Sequence, residues 1–119
     1  MLTVSLQKEC SNLQEKELAK FLGGRVVAGS GCGNFDAGDV DSGLFLIECK
    51  TTTKPQTSFS IKRDWMNKIE EQRFESGLRF SALAFRFDPV CKDYLVINSD
   101  TFKELVDVYL EKLKEENNG

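Results

Sequence analysis

Four consecutive apolar residues, Leu44-Phe45-Leu46-Ile47, run directly into Glu48-Cys49-Lys50. An extended strand with one wet face alternates apolar and polar residues, whereas an unbroken apolar run asks for cover on both faces. A chain built round this segment must therefore place a layer on each side of a sheet. The end of the run adds a second constraint. Side chains alternate along a strand, so Glu48 and Lys50 point one way and Cys49 the other. A carboxylate and an ammonium at the end of a buried strand are costly to desolvate, and such arrangements concentrate where chemistry is done.

The flanking pattern supplies the layers. Ser11, with Gln14 three residues on, forms a capping-box pattern that predicts a helix to about Leu22, closed by Gly23-Gly24. Glu15, Leu18, Ala19 and Leu22 share one face of it; Glu17 does not. Arg25 to Ala28 is a short expected strand, and a glycine-dense loop, Gly29 to Asn34, follows. Residues near Ala37 to Val40 are expected as the second strand, turned by Asp41-Ser42-Gly43 into the third, Leu44 to Thr51. A loop containing Pro55 precedes a second helix from about Ser60 to Glu75, with Ile61, Trp65, Ile69 and Gln72 in one row. Strands four and five are expected at Ser81–Phe87 and Tyr94–Ile97. The last helix, about 100–114, carries Phe102, Leu105, Val106, Tyr109, Leu110 and Leu113 as a stripe. Short connections make the first three strands an antiparallel meander, and the crossover helix returns strand four parallel. The expectation is α/β: a central mixed five-stranded sheet flanked by helices, in the order α-βββ-α-ββ-α. At 119 residues the chain reads as one domain, 1–119, with its core over about 11–98.

Composition removes several kinds of chemistry. With no histidine and four scattered cysteines, a Cys/His zinc site and a Ser-His-Asp triad are both disfavoured. Cys10, Cys32, Cys49 and Cys91 read as small buried hydrophobes in a reducing compartment. No apolar stretch approaches a membrane span, so a cytoplasmic protein with no membrane partner is expected. Net charge is −3, yet Lys50 to Lys92 holds nine Lys/Arg against five Asp/Glu, an excess of four positive charges. Clustered cations matter more for phosphate binding than the total does.

Asp39 lies nine residues before Glu48 on the neighbouring expected strand. If the two pair near the sheet's edge, their repulsion is relieved by a divalent cation. Mg2+, with Mn2+ as a substitute, suits oxygen ligands from Asp39, Glu48 and the Cys49 backbone carbonyl. Lys50 would orient water or stabilise charge on a phosphate. The bland alternative is a turn aspartate and an ordinary Glu48–Lys50 pair. Glu15 is a candidate fourth acid, with Glu17 or Glu9 as fallbacks. Ser30 could donate to a phosphate from its glycine loop, and Lys54, Lys62 and Arg63 could meet a DNA backbone. Gln72 could reach the site from the second helix, and Trp65 reads as core or dimer interface.

Gly38-Asp39-Val40, a hairpin, and Ile47-Glu48-Cys49-Lys50 at a strand end resemble the PD-(D/E)xK nuclease superfamily. Glu15 to Leu22, followed by Gly29-Ser30-Gly31, is similar to the helix and Gly-Ser loop of phage and archaeal Holliday-junction resolvases. The resemblance covers about residues 11–87; Gly38 stands where the superfamily's namesake proline would be. It implies a restriction-endonuclease-like core and a Mg2+-dependent endonuclease acting on four-way DNA junctions. In that case a twofold homodimer would make symmetric cuts leaving 5′-phosphates, in the host cytoplasm if the chain is phage-encoded. It carries the motif acids onto Asp39 and Glu48, the lysine onto Lys50, the helix acid onto Glu15 and the loop serine onto Ser30. Alternatives are another nuclease of the superfamily, of restriction or repair type, or a non-catalytic DNA-binding subunit on the same fold.

Overall fold

The computed structural model describes residues 5–27 and 39–118. Ser30, the rest of the glycine loop, Cys32, Ala37 and Gly38 lie outside them. The elements are α1 (Leu6–Leu22), β1 (Arg25–Val26), β2 (Val40–Asp41), β3 (Phe45–Lys50), α2 (Arg63–Ser76), β4 (Phe80–Phe85), β5 (Tyr94–Val96) and α3 (Ser99–Asn118). Five strands form one sheet in sequential order, antiparallel except for the parallel β3–β4 pair. The expected meander and crossover are both present.

Alternation along β3 explains the two layers. Ile47 and Cys49 pack with Val40, Ala82 and Ala84 against Leu18 and Ala19 of α1. Leu46 and Leu83, one residue out of phase, are buried on the other side of the sheet, where α2 packs on β3 and β4 and buries Ile69. Alanines at 82 and 84 leave room for α1 to come close. Among the described residues, no helix is long and apolar enough to cross a membrane.

Several element boundaries differ from expectation. Helix α1 begins at Leu6, not Ser11: the Ser5 side chain accepts from the Lys8 N–H and is the true N-cap. Ser11 sits within the helix and donates to Glu15 Oε2 at 3.1 Å. Helix α2 opens at Arg63 rather than Ser60, because Lys62 is still extended; just before it, Phe59 stacks on Phe85 at 4.8 Å. Cys10 and Cys49 are buried as expected, but Cys91 is exposed. The largest departure concerns α3. Its apolar stripe is largely exposed, with Leu105 and Tyr109 lining a groove shared with Leu44 and with Phe80 of β4.

Candidate active site at the end of the central strand

Register sets the geometry. Val40 pairs with Ile47, which places Asp39 opposite Glu48 at the C-terminal end of β3. The Asp39 N–H donates to the Ile47 carbonyl, and Asp39 Oδ2 accepts from the Cys49 N–H at 2.7 Å. The position of the carboxylate is thus tied to the strand carrying Glu48 and Lys50. Charge-assisted bonds of this kind are short and about twice as strong as neutral ones. On the same strand, Lys50 Nζ lies 3.4 Å from Glu48 Oε1.

Helix α1 brings the third carboxylate. Glu15 is half-buried beside Leu18 and Ala19. Burial, and secondly the charge of Asp39, raise its carboxyl above the ordinary glutamate value, against the Ser11 hydrogen bond. Burial and then Asp39 also raise Glu48, opposed by Lys50 and by Lys68 of α2. One aspartate therefore perturbs a carboxyl from α1 and another from β3. Cys49 is pushed well above the ordinary thiol range, first by burial and then by Asp39, Asp93, Glu15 and Glu48. A thiol so disfavoured from ionising is a poor nucleophile and a poor ligand.

Among the described residues, no group of three or more Asp, Glu, Cys or His side chains is placed to hold a metal ion. Mg2+ asks for less, since one or two carboxylates with waters and substrate oxygens are a common set. Asp39 and Glu48, hard oxygen donors of like charge on paired strands, fit that requirement.

The lysine has a second neighbour. Lys50 Nζ lies over the Trp65 ring, 4.4 Å from its centroid, and Lys62 Nζ lies 5.5 Å from it. Trp65 is half-buried beneath the two ammonium groups rather than closed in a core. Phe59, Phe85, Phe87 and Tyr94 continue the aromatic surface through contacts of 4.8–5.8 Å.

Asp39 thus acts on both Glu15 and Glu48, and Glu48 pairs with Lys50. Lys54, Lys62 and Arg63 are exposed, on the loop after β3 and at the start of α2. Gln72 is half-buried on α2, its Oε1 unpartnered among the described residues. Glu17 is not in the acidic group: its Oε1 accepts from Arg86 Nη1 at 2.9 Å. Glu9 is exposed in the first turn of α1. Sequence reasoning missed Lys68, whose only signal was a helical spacing of three and four from Trp65 and Gln72. It also missed Arg86 and Asp93, a buried pair that α1 joins through Gln14 and Glu17. A cavity of about 560 Å3 lies beside that pair, but its Arg86, Asp93 and Glu17 walls bond to one another.

No family model, curated protein or solved structure matches this chain.

Proposed function

We propose that this chain is a metal-dependent DNA endonuclease on a restriction-endonuclease-like core, selective for four-way junctions and working as a homodimer. The observation that carries the reading is the register of Asp39 against Glu48, with Asp39 raising both Glu48 and Glu15. Like charges gathered at a strand end destabilise the fold unless a cation or a phosphate-bearing substrate uses them.

Asp39 and Glu48, with the Cys49 carbonyl, would hold Mg2+ or Mn2+, and Glu15, the α1 carboxyl that Asp39 perturbs, would complete the acidic surroundings. When bound, the ion supplies charge neutralisation at a phosphodiester and a more acidic water. The Cys49 N–H holds the Asp39 carboxylate in a fixed direction. Lys50, held between the Glu48 carboxylate and the Trp65 ring, has its ammonium confined to a small volume. From there it orients the attacking water and offsets negative charge growing on the phosphate. Lys54, Lys62 and Arg63 meet backbone phosphates of the flanking DNA, with Gln72 lining the approach. The product carries a 5′-phosphate.

The test is incubation of a labelled four-way junction and a matched linear duplex with Mg2+ or chelator. Symmetric cutting of the junction alone is expected, with Asp39→Asn and Lys50→Ala each slowing it by about a hundredfold or more. Equal cutting of both substrates reduces the reading to a general nuclease. Junction binding without cutting, unchanged in Asp39→Asn, replaces it with a non-catalytic DNA-binding subunit.

A further inference from the structure

Among the described residues, the polar contacts that tie helix α3 to the body lie near its start. Asn98 Oδ1 accepts from the Thr101 N–H at 2.8 Å, Thr101 is buried, and Arg79 pairs with Glu104 at 2.6 Å. The helix carries a stripe that the other described residues leave largely exposed, with Leu105 and Tyr109 lining a groove shared with Leu44 and Phe80. Phe102 is 60% exposed, Tyr109 58% and Leu110 50%, with Leu105, Val106 and Leu113 each above a third. With aromatic side chains contributing about 150–250 Å2 each when fully covered, the open parts of these six sum to on the order of 500 Å2. A monomer rarely leaves so large a contiguous apolar patch in water without use.

The spacing of the stripe identifies what covers it. Its positions are symmetric about the midpoint between Asp107 and Val108: Phe102 mirrors Leu113, Leu105 mirrors Leu110, and Val106 mirrors Tyr109. An antiparallel copy of the same helix would therefore set apolar against apolar at every level, which is what a twofold, self-complementary interface demands. Two such stripes hide on the order of 1,000 Å2, and flanking polar atoms bring the total to the lower range of stable interfaces, about 1,200 Å2. The polar face argues against the competing occupants. From Ser99 to Asn118 there are six acids and three lysines, an unfavourable balance for an anionic membrane or a nucleic acid.

We propose that α3 is a dimerisation arm, in which two copies of this chain pair antiparallel through Phe102, Leu105, Val106, Tyr109, Leu110 and Leu113. The proposal adds an interface to the nuclease reading without depending on it, since it is carried by the surface of α3 alone.

Sedimentation equilibrium of the full chain at micromolar concentration is expected to give twice the chain mass. Leu105→Glu and Tyr109→Glu, checked for helicity by circular dichroism, are each expected to weaken self-association about tenfold or more. A second measurement keeps the test decisive if those helices unravel. With Cys32 and Cys91 replaced by serine, Phe102→Cys mixed with Leu113→Cys is expected to form the mixed disulfide in preference to either like pair. A monomer throughout the range, a dimer indifferent to both glutamates, preferential Phe102→Cys self-pairing, or flotation of the monomer with lipid vesicles would each overturn the proposal.

Discussion

Arg86→Met is the sharpest test of how α1 is held to the sheet. Arg86 is 4% exposed in its side chain and grips Asp93, 8% exposed, through two bonds of 3.1 and 2.9 Å. Its remaining donors reach Glu17 Oε1 at 2.9 Å and the Pro89 carbonyl at 3.1 Å. Burial opposes its charge, but hydrogen bonds to Asp93 and Glu17 outweigh that and hold the guanidinium more firmly protonated than usual. Removing it leaves Asp93, among the described residues, with the Gln14 amide, 2.8 Å away, as its remaining side-chain donor. Breaking one side of a buried pair costs about 3–5 kcal/mol. The Glu17 contact, half in solvent, adds at most about 1 kcal/mol. Because Gln14 still satisfies part of Asp93, the lower end applies, about 3 kcal/mol. That is a large share of the roughly 5–15 kcal/mol that stabilises a domain. Urea unfolding at neutral pH should show it as a shifted midpoint with unchanged slope, and a thermal scan as a fall of about 10 °C. Arg86→Met with Asp93→Leu should recover most of the loss, since apolar replacement of a buried pair is often neutral. A single variant costing under about 1 kcal/mol, or a double variant showing the sum of the two singles, would refute the argument.

Two further perturbations probe the site and its frame. Glu15 and Glu48 bind protons more tightly folded than unfolded, so their contribution to stability is complete below the ordinary glutamate value of 4.5 and is lost as pH rises through their raised values. Asp39→Asn removes the second cause of both shifts, so stability should decline less between pH 4.5 and neutrality than in the parent, as read from urea midpoints; an identical decline would discount the coupling. Gly24→Ala should destabilise by about 1–3 kcal/mol in a thermal melt, because an added Cβ meets the Asp41 carbonyl and lies 2.7 Å from the Ser42 Cα, backbone that cannot step aside. A melt unchanged from the parent would mean that the α1–β1 corner has more room than it shows.

The order of elements was legible because it rests on short-range physics. Apolar periodicity marked α1, α2 and α3, and an unbroken apolar run marked β3 as a strand covered on both faces. The Gly23 cap, at positive φ, closed α1 where expected, and Gly77 ends α2 in the same conformation. Asp39 opposite Glu48 was legible too, because a short hairpin fixes register. The first residue of α1 was not, since Ser5 and Ser11 offer the same cap chemistry and only the folded helix selects between them.

Tertiary structure alone decided what meets across distance. Gln14 and Asp93 are 79 residues apart, and Arg86 and Glu17 are 69; no local pattern encodes such pairs. Lys68 acts on Glu48 only because α2 lies across β3, and Trp65 meets Lys50 for the same reason. The stripe of α3 was plain in the sequence, but periodicity reports only that a face is apolar. Whether that face turns inward depends on where the preceding strand releases the chain, and here most of it stays exposed.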